Sequence, residues 1–166
     1  MSDLKKMTVV VKNFNLRASG DIDALYSRVR LEDEEGKTFY FKEIVVPRYL
    51  SDKGALRTDT PRIWYFKNLG KKSMIIVVAF ENIYGKVEYD LGDMRLIVRS
   101  TIIKGILYSL GSIPGGIIAA TATFGLGLVL IPWGVWYGYQ NIFKVPAMLS
   151  QKRLLDDFSR YGIVVK

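Results

Sequence analysis

Residues 105–143 read GILYSLGSIPGGIIAATATFGLGLVLIPWGVWYGYQNIF, 39 consecutive positions between Lys104 and Lys144 without one formal charge. An uncharged apolar run of about 18 residues or more is the signature of a membrane span, because the hydrocarbon core is about 30 Å thick. This run is about twice that length. As one straight helix at about 1.5 Å per residue it would approach 60 Å, more than a single tilted crossing uses. Two helices of about 17 residues that enter and come back, turning near residues 121–127, are the economical solution.

The charges on either side orient the block. Arg95, Arg99 and Lys104 precede it, and Lys144, Lys152 and Arg153 follow it. Lys and Arg favour the cytoplasmic side, so two basic flanks belong on one side and the number of crossings is even. These six residues, with Trp133 and Trp136, are the expected lipid-interface set. A single span over about residues 113–137 is the main alternative, with Trp133, Trp136, Tyr137 and Tyr139 as an aromatic belt. In a full-crossing hairpin Trp133 would stand near mid-bilayer. A shallow re-entrant wedge broken at Pro114 and Pro132 is a third solution. The soluble alternative is a buried pair of Gly-rich core helices, and such helices seldom go uncharged over this length.

Within the block, Gly111-x-x-x-Gly115, Ser112-x-x-x-Gly116 and Gly134-x-x-x-Gly138 place small residues one turn apart. That spacing lets helix backbones approach closely in lipid. Packing of the two helices of one hairpin is the plainer reading, assigned to Gly111, Gly115, Gly116, Gly134 and Gly138. Homo-oligomerisation, in the extreme around a pore, is the sharper one.

Outside the block the 166-residue chain is ordinary. Residues 1–100 carry 18 Lys/Arg and 14 Asp/Glu, and residues 144–166 carry five basic and two acidic side chains. There are no cysteines and no histidines. That removes disulfides, thiolate metal sites and the commonest general base, and with them most hydrolase and metalloenzyme constellations. Residues 1–12 contain no apolar core of secretory-signal length, so the first hundred residues are expected to stay where they are made.

Those residues read as strands: 7–12 (MTVVVK), a hairpin of 25–31 and 37–46, a second hairpin of 62–69 and 74–81, and a third of 86–91 and 94–99. In the first hairpin Leu25, Ser27, Val29 and Leu31 share one face. Residues 47–61 read as a loop bracketed by prolines, and Gly70-Lys71-Lys72-Ser73 as a turn. Residues 145–161 form an amphipathic helix, and 162–166 either an edge strand or a frayed end. The expected fold is an α+β membrane protein. It has a small antiparallel β-sandwich or open barrel over about residues 6–99, within a domain spanning 1–100. A transmembrane helical hairpin over 101–143 and a short C-terminal amphipathic helix over 144–166 follow.

The search for chemistry is largely negative. Gly70-Lys71-Lys72-Ser73 lacks the upstream glycine and strand-to-helix setting of a phosphate loop. Residues 32–35 are four consecutive carboxylates, whereas calcium loops alternate their ligands. Glu88 and Asp90 share a strand face without a partner base or metal motif. Basic and aromatic residues interleave in 37–42 and 62–67, but so small a domain needs half of those aromatics for its core, and no nucleic-acid role is assigned. The basic flanks fit an anionic lipid surface better.

The layout resembles small bacterial inner-membrane proteins in a general way, and no residue-level motif carries that resemblance. The expected function is non-enzymatic, without cofactor or metal. A β domain is held at the cytoplasmic face of a bacterial inner membrane, both termini cytoplasmic, and presented to an unidentified protein as a subunit, adaptor or immunity-type component. The competing expectation is a membrane-active protein whose Gly-rich hairpin oligomerises and permeabilises the bilayer.

Overall fold

The computed structural model describes residues 3–69 and 74–165. The turn expected at 70–73 and the terminal Lys166 lie outside the described residues. The chain divides into two compact units, Met1–Met94 with Leu155–Lys166, and Arg95–Leu154.

The first unit is a β-barrel. Its strands are β1 (Lys5–Ser19), β2 (Asp23–Glu32), β3 (Thr38–Pro47), β4 (Pro61–Asn68), β5 (Met74–Glu81) and β6 (Val87–Tyr89). They run in the order β3-β2-β1-β4-β5-β6, and a further β3–β5 pairing closes the first five into a ring. One edge of β5 serves two neighbours. Ile75 lies beside Ile44 in the parallel pairing with β3, and Phe80 opposite Glu88 in the antiparallel pairing with β6. The cyclic order 1-2-3-5-4, with helix α1 (Arg48–Asp52) between β3 and β4, is that of an OB-type Greek-key barrel. Closure decides between the two expected forms, because a ring leaves far less unpaired backbone edge than a sandwich.

The β2–β3 turn follows from its residues. Asp33 Oδ1 accepts the amides of Glu35 and Lys37, and Gly36 takes φ 79°. The acidic cluster is thus a hairpin tip. The strand faces differ from simple alternation, however. Ala24 and Tyr26 are buried on one phase, Val29 and Leu31 on the other. Arg28 stands between them in the left-handed region at φ 52°, which switches the inward face. Leu25 and Ser27 therefore do not share a face with Val29.

The barrel interior holds Val9, Val11, Val29, Leu31, Ile44, Trp64, Phe66, Ile75, Val77 and Phe80. The segment read as a loop contains α1. Leu50 from α1 and Ala55 and Leu56 just after it join the same core. Trp64 Nε1 donates to the Ala55 carbonyl at 3.0 Å, and the Tyr26 and Ser51 hydroxyls lie 2.7 Å apart.

The strand expected at 94–99 is the start of a helix, α2 (Leu91–Ala122). Asp90 Oδ1 accepts the amides of Gly92 (2.7 Å) and Asp93 (3.0 Å), an N-cap arrangement, and Asp93 adds negative charge in the first turn. Met94 and Ile97 are buried three residues apart, helical spacing rather than the period of two.

In the second unit α2 ends at Ala122 and the chain turns at 123–125. A 3₁₀ turn (Leu126–Val129), α3 (Leu130–Tyr139), a π turn (Gln140–Lys144) and α4 (Val145–Leu149) follow. Every junction from Val129 to Val145 keeps right-handed helical angles, and the run breaks only at Ser150, with ψ 140°. Among the described residues one helix, α2, is long and apolar enough to cross a membrane.

The amphipathic tail is α5 (Gln151–Arg160), which begins after the Ser150 break. In the barrel unit, Asp157 and Phe158 are buried while Asp156, Ser159 and Arg160 are exposed. Gly162, at φ 72°, ends the helix. Its amide bonds to the Ser159 carbonyl, and the Ile163 amide bonds to the Phe158 carbonyl, a Schellman cap. Residues 162–165 thus form no edge strand.

Candidate functional site

The segment 105–143 is built on two seams of small residues. An added Cβ on Gly116 would stand 2.5 Å from Ile131 Cγ1, and one on Gly138 would stand 2.8 Å from the Gly105 carbonyl oxygen. On Gly134 it would meet Ser112 Oγ at 2.6 Å, and on Gly127 the Ala119 Cβ at 2.7 Å. One on Gly105 would meet Ile142 Cγ1 at 2.8 Å. The partners descend as the α2 positions rise, so the segment after the turn runs antiparallel to α2 along backbones in near contact.

Among the sequence-selected glycines, Gly116, Gly134 and Gly138 therefore sit in this contact. Gly111 and Gly115 do not: an added Cβ there meets nothing within 4 Å. Gly105 and Gly127 belong to the seam and were not singled out. The signal for Gly105 is its spacing with Ser109, Ser112 and Gly116, which alternates four and three, the interval that keeps one helix face toward a partner.

Four polar side chains in the segment bond to nearby backbone. Ser112, Thr121 and Thr123 donate to the carbonyls of Ser109, Ile118 and Ala119, and Asn141 Nδ2 donates to the Tyr137 carbonyl. The Thr123 hydroxyl in turn accepts the Gly127 amide at 3.0 Å. At the turn, Phe124 and Gly125 both take left-handed angles (φ 50° and 95°), and the Phe124 ring is fully exposed.

The outer faces are apolar and uncovered. Ile106, Leu107, Leu110, Ile117 and Ile118 on α2, and Leu126, Val129, Trp133 and Trp136 beyond the turn, are exposed. Between 105 and 143 the buried residues are Gly105, Gly116, Gly127, Gly134 and Gly138. Tyr137 packs edge-on to Tyr108 at 5.0 Å and stacks beside Trp133 at 6.1 Å. Next to them a groove of about 280 Å³ runs over Gly111, Gly115, Leu107, Leu130 and Trp133. The open glycines create it, because no side chain fills the space above them.

The charged residues expected at a lipid interface flank this segment in sequence. Arg95, Arg99, Lys104, Lys144, Lys152 and Arg153 are all exposed, and Arg95 reaches Gln151 Oε1 at 3.2 Å. Trp133 and Trp136 lie on α3, inside the apolar stretch rather than at its ends.

The carboxylates weighed for chemistry have structural partners. Asp90 caps α2. Glu88 takes Lys86 Nζ at 2.7 Å and the Tyr49 hydroxyl at 3.0 Å. The Lys86 ammonium first, then the Tyr49 hydroxyl, hold the Glu88 carboxyl below its usual range against the opposing effect of burial. Among the described residues no group of three His, Cys, Asp or Glu side chains is placed to hold a metal ion.

Compared with protein-family models, curated protein sequences and solved structures, the chain has no significant match.

Proposed function

We propose that this protein is a membrane-anchored, non-enzymatic interaction protein. The barrel is displayed at the cytoplasmic face of a membrane, and residues 105–143 form a helical hairpin in the bilayer. The observation that carries this reading is the surface of the segment. Only 11% of the most apolar window of α2 is buried, whereas the core helix of a soluble protein is mostly buried. Soluble monomers seldom leave contiguous apolar patches larger than a few hundred Å² in water. Lengths agree as well. Residues 105–122 and 126–143 each extend about 27 Å as helix, close to the hydrocarbon thickness. The local hydrogen bonds of Ser112, Thr121, Thr123 and Asn141 suit a solvent that offers none.

The native chain has no cysteine, so single thiols report topology cleanly. Cysteines placed at Asp3, Thr123 and Val165 should behave in two ways in sealed vesicles. Asp3→Cys and Val165→Cys react with an impermeant maleimide from the same side, and Thr123→Cys reacts only from the other side or not at all. Labelling of Val165→Cys and Asp3→Cys from opposite sides would replace the hairpin by a single span.

The second reading, an oligomer that permeabilises the bilayer, draws support from Gly111 and Gly115. Their open one-turn spacing would admit another helix closely. Dissipation of membrane potential on expression, abolished by Gly115→Leu, would favour it.

A further inference from the structure

Arg62, the second residue of β4, is 7% exposed, and its Nε has no hydrogen-bond partner. Its guanidinium lies against the Phe80 ring at 5.3 Å, and among the described residues it forms no ion pair. A buried cation without an acceptor is costly, and in proteins such groups are ordinarily paired or hydrogen-bonded. Nε shares one edge of the guanidinium with Nη2, and that edge carries two parallel donors. Nη2 borders the open side of Gly54: an added Cβ on this glycine would meet Nη2 at 3.7 Å and Arg57 Cβ at 4.0 Å. Gly54 takes φ 85° and accepts the Arg57 amide in the turn after α1, which brings the second arginine to the same place. Arg57 is exposed and likewise has no acidic partner among the described residues. Asp52 and Asp59, the nearby acids in sequence, are engaged by Arg48 and Lys12.

We propose that the barrel end beside Gly54 is a binding site for a phosphate group, taken by the Nε–Nη2 edge of Arg62 and by the side chain of Arg57. One buried and one exposed cation suit the charge of about −1.5 to −2 that a phosphate monoester carries near neutral pH, and the Arg62 guanidinium fork matches two of its oxygens. Burial and the Arg57 charge both make the Arg62 cation less favourable, and a bound anion relieves both. The proposal concerns the barrel alone and stands independently of the membrane reading. A free phosphate and a lipid headgroup offer the same chemistry.

The test uses the full chain in neutral detergent, with thermal midpoints compared in sodium phosphate and in sodium chloride of equal ionic strength. A parallel arm uses phosphatidylcholine vesicles with and without phosphatidic acid. The expected result is a dose-dependent rise of the midpoint in phosphate. Arg57→Ala, a surface change, should weaken the apparent phosphate affinity about tenfold or more, the worth of one charge-assisted hydrogen bond. Arg62→Met should abolish the response while leaving the midpoint in chloride no lower than that of the native chain. A response that depends on both arginines but is confined to phosphatidic acid assigns the site to a headgroup. A rise that survives both substitutions is the general salting effect of phosphate and overturns the proposal. So does the absence of any rise in both arms.

Discussion

Lys67 on β4 and Asp157 on α5 form an ion pair at 2.6 Å with side chains 0% and 2% exposed. It joins residues 90 positions apart and fastens the C-terminal helix to the outside of the barrel. Around it, Tyr161 stacks edge-on to Tyr65 at 5.8 Å and donates to the Leu4 carbonyl, and Phe158 packs by Tyr89. Breaking a buried ion pair by removing one member costs about 3–5 kcal/mol, whereas replacing both with apolar residues is often neutral. Denaturant unfolding should therefore rank Asp157→Leu and Lys67→Met well below the native chain. The double variant should be more stable than either single one, and a double variant as unstable as the singles would show that the charges themselves hold α5.

The glycine seam makes a sharper distinction than composition does. Gly134→Ala puts a methyl where the Ser112 hydroxyl stands, and Gly116→Ala crowds Ile131. Overpacking of this kind costs about 1–3 kcal/mol. Gly111→Ala and Gly115→Ala meet nothing and should be neutral or slightly stabilising through helix propensity. Thermal midpoints in detergent should separate the two pairs. If Gly115→Ala also lowers the midpoint, and does so only at high protein concentration, a second copy packs on that face.

The Schellman cap at Gly162 is open to a single substitution. Alanine there has free space but must adopt φ 72°, a left-handed cost of about 1–2 kcal/mol. Gly162→Ala should lower barrel stability by that amount, whereas Gly162→Asn should lose less, because Asn tolerates this region.

Glu88 gives the barrel an acid limb. Its carboxyl titrates lower in the folded protein than its ordinary value of 4.5, chiefly through Lys86. The stabilisation is thus complete above that ordinary value and lost as pH falls through the folded one. The stability difference between the native chain and Glu88→Gln should be constant near neutrality and shrink on acidification. A difference that grows below pH 4.5 would contradict the ion-paired state.

Local chemistry was legible in the sequence where it acts over a few residues. The β2–β3 hairpin, β4, β5 and the uncharged block follow from turn residues, alternation and charge. The start of α2 was not, because Met94–Arg99 alternates in sequence and only the Asp90 carboxylate, turned onto the Gly92 and Asp93 amides, selects helix. Arg28 hides a phase switch that no propensity marks, since any residue type is unusual at positive φ except Gly, Asn and Asp. Helix α1 is short, and its Leu50 declares itself only against the barrel core. The Lys67–Asp157 pair, separated by 90 positions, leaves no local trace. Within the block, motif spacing alone treats Gly115 and Gly116 alike. Contact separates them, because adjacent positions on a helix face about 100° apart.

The most direct measurement is quenching of tryptophan fluorescence by lipids brominated along the acyl chain. Trp133 and Trp136 lie on the exposed apolar face, and Trp64 is enclosed by the barrel as an internal reference. Reconstituted native protein should lose most of its Trp133 and Trp136 emission, and Trp133→Phe/Trp136→Phe should retain only unquenched Trp64 signal. Unquenched emission from a chain that stays monodisperse in detergent-free buffer, apart from vesicles, would contradict a lipid environment for residues 105–143.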